Sequence, residues 1–249
     1  MIPLKTDREL KLMREANRII AVVLEEIGER VKPGVTTYEL DQWAEEKILK
    51  MDAKPGFKGY NGYPATLCTS VNDEVVHGIP SRDRILEEGD IVGIDVGCIY
   101  KGFWGDGAYT YPVGQISEDT HQLLYTCQKA LDIGVEKARK GNRVTDISIA
   151  IDRFVRPLGY EIVRDLTGHG IGRKLHEDPQ ILNYDNGKKG PKLKVNMTLA
   201  IEPMITDGTY EVKTLNDNWT VVTTDGSWSS HYEHTIVITQ NGPEILTRL

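Results

Sequence analysis

Two ten-residue stretches set 107 positions apart constrain this chain most. Leu86-Glu87-Glu88-Gly89-Asp90-Ile91-Val92-Gly93-Ile94-Asp95 lies over Leu193-Lys194-Val195-Asn196-Met197-Thr198-Leu199-Ala200-Ile201-Glu202. Each is a polar turn followed by an apolar run that closes on a carboxylate. The same separation of 107 joins Gly34 to Gly141, Leu40 to Ile147, Ala44 to Ile151 and Ile48 to Val155. Two αα-then-β halves of similar length would give this offset by chance, since identities are few. A pseudo-twofold fold would give it too, and would bring an acid from each half together on its axis. No linker separates the halves, so the 249 residues are expected to form one domain with lobes at about 1–113 and 114–249.

Periodicity supplies the elements. Thr6-Asp7-Arg8-Glu9 reads as a capping box, in which the Thr hydroxyl and the Glu carboxylate satisfy each other's backbone N–H groups. Leu10, Met13, Ala16, Ile20, Val23 and Ile27 follow at helical spacing up to a stop at Lys32-Pro33-Gly34. Thr36-Thr37-Tyr38-Glu39 opens a second helix with Leu40, Ala44 and Ile48 on one face. Pro55 to Pro64 reads as a loop, and the runs Thr66–Val71, Ile91–Tyr100 and Ala108–Val113 as strands. In the second half Ser117 caps a helix carrying Leu124, Leu131 and Val135 that ends near Gly141, and Ile147, Ile151 and Val155 mark another. Strand-like runs then occupy Thr198–Ile205, Trp219–Thr224 and His234–Thr239.

Composition narrows the class. With 30 Lys+Arg against 37 Asp+Glu the formal charge is -7, which argues against a dedicated DNA binder. Hydrophobic residues at 39% fit an ordinary globular chain, and no run approaches the roughly 20 apolar residues of a membrane span. The first residues turn charged before an apolar signal region could form. Cys68, Cys98 and Cys127 are far apart and include no CxxC pair, which argues against disulfides or a zinc ribbon and for a cytoplasmic location.

Five side chains stand out as metal-ligand candidates: Asp95, Asp106, His169, Glu202 and Glu233. Alternate residues of a strand share a face. Asp95 then shares its face with Gly93 and Gly97 while Val92, Ile94 and Val96 point to a core, and Glu202 sits beside Ala200 with Leu199 and Ile201 opposite. Asp106 follows Asp95 by eleven residues, a spacing that lets a hairpin bring both acids together. His169 lies between Gly168 and Gly170, leaving space around its imidazole. Carboxylates buried in apolar strands repel one another and must neutralise or bind cations. One His with four carboxylates suits Mn, Fe, Co or Zn in a two-metal hydrolytic site better than a closed structural zinc site. His77, at a Gly/Pro turn, and His176, seven residues after His169, are either structural or proton and hydrogen-bond donors to a reacting peptide.

These residues lie in a specific series of motifs: Gly59-Tyr60-Asn61-Gly62-Tyr63-Pro64, Val75-Val76-His77-Gly78-Ile79-Pro80, Gly89–Gly97, Gly168-His169-Gly170-Ile171-Gly172, Leu199-Ala200-Ile201-Glu202-Pro203 and Tyr232-Glu233-His234-Thr235. In this order and spacing the chain resembles the type I methionine aminopeptidases nearly end to end. The resemblance implies an α+β pita-bread fold, two pseudo-symmetric halves around a curved antiparallel sheet with outer helices. It implies two divalent metal ions (Co, Mn, Fe, Zn or Ni), one held by Asp95, Asp106 and Glu233, the other by Asp106, His169, Glu202 and Glu233. The implied reaction removes the initiator methionine from nascent chains whose second residue is small. Glu202 would handle the proton, His77 and His176 would contact substrate, and Tyr60, Tyr63, Cys68 and Trp219 would form the methionine pocket. Departures fall at the rim: Phe57 and Asn61 stand where many members carry Cys and His, and Leu175 replaces an aromatic residue before His176.

Two neighbouring readings are an aminopeptidase P or prolidase type of peptidase and a non-catalytic pita-bread module that binds peptides. The former usually carries a further N-terminal domain, and the latter typically loses ligands. A monomer is expected, acting on nascent polypeptide N-termini. Asn186-Gly187-Lys188-Lys189-Gly190-Pro191-Lys192-Leu193-Lys194 is a basic loop on an acidic chain, either simply solvated or a transient contact for the ribosome.

Overall fold

Thr6 accepts from the Glu9 N–H while Glu9 accepts from that of Thr6, so helix α1 (Asp7–Gly28) begins where its capping box predicts. It ends earlier than Lys32-Pro33-Gly34, because the Arg30 and Val31 N–H groups both fall back on the Ile27 carbonyl and unwind the last turn. Helix α2 (Thr37–Lys50) starts on the same device at Thr36 and Glu39. Helices α3 (Glu118–Lys137) and α4 (Val144–Val155) repeat the pair in the second half, α3 capped by Ser117. The computed structural model describes residues 2–249.

A nine-stranded, wholly antiparallel sheet lies between the two helix pairs. Its spine is the hairpin Ile91–Tyr100 with Phe103–Pro112, in register from Ile91 opposite Pro112 to Tyr100 opposite Phe103. Lys101 and Gly102 turn it with φ of 47° and 83°, as a tight hairpin turn requires. The second of these strands begins five residues before the run expected at Ala108–Val113. Phe103-Trp104-Gly105-Asp106-Gly107 carries no alternation of apolar and polar residues, so its pairing comes from tertiary contact. A Cβ on Gly105 would meet the Ala16 carbonyl carbon of α1 at 2.7 Å, so helix and strand touch backbone to backbone there.

The halves join where Glu233 pairs with Ala108 and His234 with Gly107. Beyond the Glu233–Ile238 strand come Thr198–Ile201, Gly168–Gly170 and Glu177–Ile181. The run expected from Thr198 to Ile205 is two strands, because Pro203 has no N–H to donate to a ladder. Met204–Thr206 instead pairs with Ser229–His231 in a smaller sheet. Val221–Thr223, shorter than the expected Trp219–Thr224, pairs with Glu74–Val76 of the first half. Outer-face residues Val92, Ile94 and Val96 pack with Ile20, Ile27, Leu40 and Ile48; Leu199, Ile201 and Ile236 pack with Leu131, Ile147 and Ile151. Each αα pair thus covers the sheet of its own half, and the inner face is left for polar groups.

Gly105→Ala should cost about 1–3 kcal/mol, the range for overpacking a site whose neighbour is main chain. Denaturant melts that show an unchanged midpoint would mean that α1 yields freely there.

Candidate metal centre and active site

Register alone gathers four of the five ligand candidates on the inner face. Asp95 lies opposite Ala108 and Asp106 opposite Gly97, so the two acids sit diagonally on one side of the hairpin. Glu233 also opposes Ala108, which extends that side into the second half. Thr235, two residues on, opposes Ala200, and Ala200 opposes His169. Glu202 lies just past the end of its strand, beside Pro203, with its carbonyl held by the Asn183 amide at 3.0 Å. The glycines around His169 serve close strand approach, rather than the expected space for its ring: a Cβ on Gly168 would stand 2.5 Å from the Ala200 carbonyl oxygen.

The geometry is that of a cation site. One donor atom from each of Asp106, His169 and Glu233 lies within 4.8 Å of the others. His169 Nε2 stands 3.7 Å from Asp106 Oδ2 and 3.4 Å from Glu202 Oε1. The His169 Nδ1–H donates to the Gly170 carbonyl at 2.9 Å, which leaves the Nε2 lone pair facing the acids. Asp95 Oδ1, Asp106 Oδ1 and Glu233 Oε1 are buried with no hydrogen-bond partner. Buried acceptors without donors are what a divalent cation satisfies, and this oxygen-rich set fits one.

Electrostatics agrees with the geometry. Burial pushes Asp95 up to about 7. Asp106, Glu202 and Glu233 rise well above the usual carboxylate range, through burial first and then mutual repulsion with Asp95 and one another. Burial draws His169 down to about 4, so its ring is neutral at physiological pH.

The same cavity, of about 270 Å³, takes in every substrate-contact candidate: His77, His176, Tyr60, Tyr63, Cys68 and Trp219. Cys68 lies directly opposite Asp95 in the sheet, and burial raises its thiol well above the ordinary value. The Tyr63 hydroxyl donates to the Leu67 and Gly78 carbonyls, both at 2.9 Å, so its ring turns carbon toward the cavity. Trp219 meets that ring edge-on at 5.0 Å and His77 at 6.5 Å. His77 has φ of 61°, an uncommon left-handed conformation, and burial lowers its pKa. His176 packs edge-on against His169 at 4.5 Å, with its Nδ1 3.3 Å from the Tyr60 hydroxyl. Phe57, Asn61 and Leu175 complete the rim.

Sequence reading missed His231. It is 4% exposed, two residues before Glu233 on the same face, and its Nε2 lies 3.8 Å from Glu202 Oε2 without a hydrogen bond. Burial and the neighbouring His77 lower it to about 3. The period-two alternation back from Glu233 was the available signal. Asn17 and Asn183, both fully buried, were also missed; they hold the Asp106 N–H and the Glu202 carbonyl.

A buried carboxylate–imidazole cluster at the bottom of an apolar cleft defines a metal-dependent hydrolase. Residues 11–240 match the model of metallopeptidase family M24. Methionine aminopeptidase from Clostridium acetobutylicum is 52% identical over 99% of both chains, and methionine aminopeptidase 1 from Bacillus subtilis is 52% identical over the whole of both. The crystal structure of methionine aminopeptidase from Thermotoga maritima superposes with a TM-score of 0.98 at 44% identity, covering 100% of each chain. An Xaa-Pro dipeptidase from Bacillus anthracis shares the fold alone, at 24% identity and a TM-score of 0.80, this chain covering 62% of it. The chain belongs to metallopeptidase family M24, in its bacterial type I methionine aminopeptidase branch, and its fold is the pita-bread fold of that family.

The raised carboxylates predict how metal removal acts. Their folded-state pKa values exceed the unfolded ones near 4, so their contribution to stability is fully present below about pH 4 and is lost as pH rises through the folded values. Bound cations reverse this by favouring the charged forms. The melting-temperature gap between metal-loaded and chelated protein should therefore widen from pH 5.5 to pH 8, by about 2–4 °C for each kcal/mol. A gap independent of pH would separate these acids from cation binding.

Proposed function

We propose that this chain removes the initiator methionine from nascent polypeptides whose second residue is small, acting as a single-domain monomer in the cytoplasm. The observation that carries the reading is one small cavity shared by the five ligand candidates and an apolar recess of Tyr63, Cys68 and Trp219. A recess with soft and aromatic walls and no free donor from Tyr63 suits an unbranched thioether side chain. The three cysteines are free, as a reducing compartment would keep them, and among the described residues no helix is long and apolar enough to cross a membrane.

Asp95, Asp106 and Glu233 would hold one divalent ion and Asp106, His169, Glu202 and Glu233 a second, with Asp106 and Glu233 shared. Mn, Fe, Co, Zn or Ni fits such ligands. When bound, the pair supplies Lewis-acid activation of water and of the scissile carbonyl. Glu202 would take a proton from the attacking water and pass it to the leaving nitrogen. His77 and His176, both drawn below the ordinary imidazole value by burial, are neutral at physiological pH and can donate hydrogen bonds to the peptide without adding cationic charge.

The test is hydrolysis of Met-Ala-Ser and Met-Leu-Ser by chelator-treated protein with Mn, Fe or Co restored. Methionine should leave the first peptide only, and only with metal. Release from Xaa-Pro peptides instead would favour the prolidase type, and no hydrolysis the binding module. Glu202→Gln should keep the fold and lower turnover by about 10²–10⁴.

The basic loop supports a second, separate proposal. Lys188 and Lys189 project from an exposed turn in which the Lys188 N–H donates to the Asn186 side chain, a shape suited to ribosomal RNA near the nascent chain. Reversing both charges should weaken ribosome co-sedimentation at low salt, with the difference fading as salt rises. Unchanged binding would remove the loop from that role.

A further inference from the structure

The catalytic cavity does not end at its rim. A second depression of about 600 Å³ meets it at His169 and His176 and runs past Arg173, Lys174 and Gln180 to Pro3. At Pro3 a third depression, of about 660 Å³, continues between Leu4, Pro191 and Met197, with Lys192 and Lys194 in its walls. Together they form a trough leading away from the site.

The N-terminal segment is built into that trough. Lys5 is 6% exposed, its Nζ donates to Glu177 at 2.6 Å, and its backbone N–H donates to the Asn196 carbonyl at 2.9 Å. Glu177 also accepts from the Arg173 and Lys174 N–H groups at 2.9 and 3.2 Å, which ties the His176 loop to the same clasp. Lys5 and Glu177 cancel each other's charge, and Arg173 spends its own on Glu9 at 3.2 Å. Among the described residues Lys174, Lys192 and Lys194 have no carboxylate within 4.0 Å, and Asp178 is the exposed acid in the wall beside Lys174. The near depression is thus mixed in charge, with Arg173 and Lys174 against Glu177 and Asp178, whereas the far one is cationic, with Lys192 and Lys194 beside Leu4, Pro191 and Met197, on a protein of net charge -7.

We propose that this trough carries the substrate polypeptide beyond its second residue, and that Lys174, Lys192 and Lys194 favour chains with acidic residues there. The proposal rests on the aminopeptidase reading and adds a preference to it. An extended chain advances about 3.3–3.6 Å per residue, so a peptide of three residues stays at the mouth while one of nine runs well along the trough. Contacts so far from the scissile bond act alike on ground and transition states, so they lower KM and leave kcat unchanged.

Metal-loaded protein would be given Met-Ala-Ser and two nine-residue peptides that extend it with six mixed Asp/Glu or six Lys residues. Relative to the tripeptide, kcat/KM for the acidic peptide should exceed that for the basic one by about three- to tenfold at low salt, in KM, and the ratio should approach one at high salt. Lys192→Glu with Lys194→Glu should abolish or invert the ratio, whereas Lys188→Glu with Lys189→Glu, at the loop tip outside the trough, should preserve it. A wild-type ratio of one at low salt overturns the proposal. So does loss of the ratio in the loop-tip variant, which would show a diffuse field. A Lys192/Lys194 variant that keeps the ratio but loses ribosome co-sedimentation would assign those lysines to RNA and equally overturn it. Failure to cleave the tripeptide would instead strike the aminopeptidase reading.

Discussion

Four carboxylates crowded on one face of one sheet are the constraint around which this molecule is organised. Left alone they would repel and draw water into the core. They stay together because each is fixed through main chain already committed elsewhere: Asp95 and Asp106 in a hairpin of two ten-residue strands, Glu233 in the strand that joins the halves, Glu202 at the end of its neighbour. The outer helices supply the apolar burial that keeps the sheet closed behind them.

The two halves contribute unequally. In the first, eleven residues separate the paired acids; in the second, thirty-one do. The longer stretch carries Trp219 and a strand, Val221–Thr223, that crosses to pair with Glu74–Val76 just before His77. Both halves of the chain thus supply acids to the cavity, and the extra length adds Trp219 to its wall.

Much of this was legible in the sequence, for identifiable reasons. The capping boxes at Thr6 and Thr36 are local chemistry, and the 107-residue offset lays α2 over α4. All five ligand candidates line one cavity, and Asp95 and Asp106 reach it as expected because strand alternation is a short-range rule that survives folding. What escaped depends on partners distant in sequence. Gly168–Gly170 is a strand only because Ala200 lies beside it, and Phe103–Gly107 pairs because α1 presses on it. His231 was hidden in a run whose strand partners could not be known in advance, and nothing local to Lys5 marks its burial against Glu177, 172 residues away.

Asn17 makes one of these long-range ties. It is wholly enclosed in α1, bonds back to the Met13 carbonyl at 2.9 Å, and receives the N–H of Asp106 at 3.2 Å, while Thr235 donates to the Asp106 carbonyl at 2.8 Å from the other half. The backbone of this candidate ligand is thus held from both ends of the chain, and one hold is a turn of the first helix. The position of the Asp106 main chain is therefore tied to the integrity of the first helix, so loosening α1 at Asn17 would also loosen one corner of the cavity.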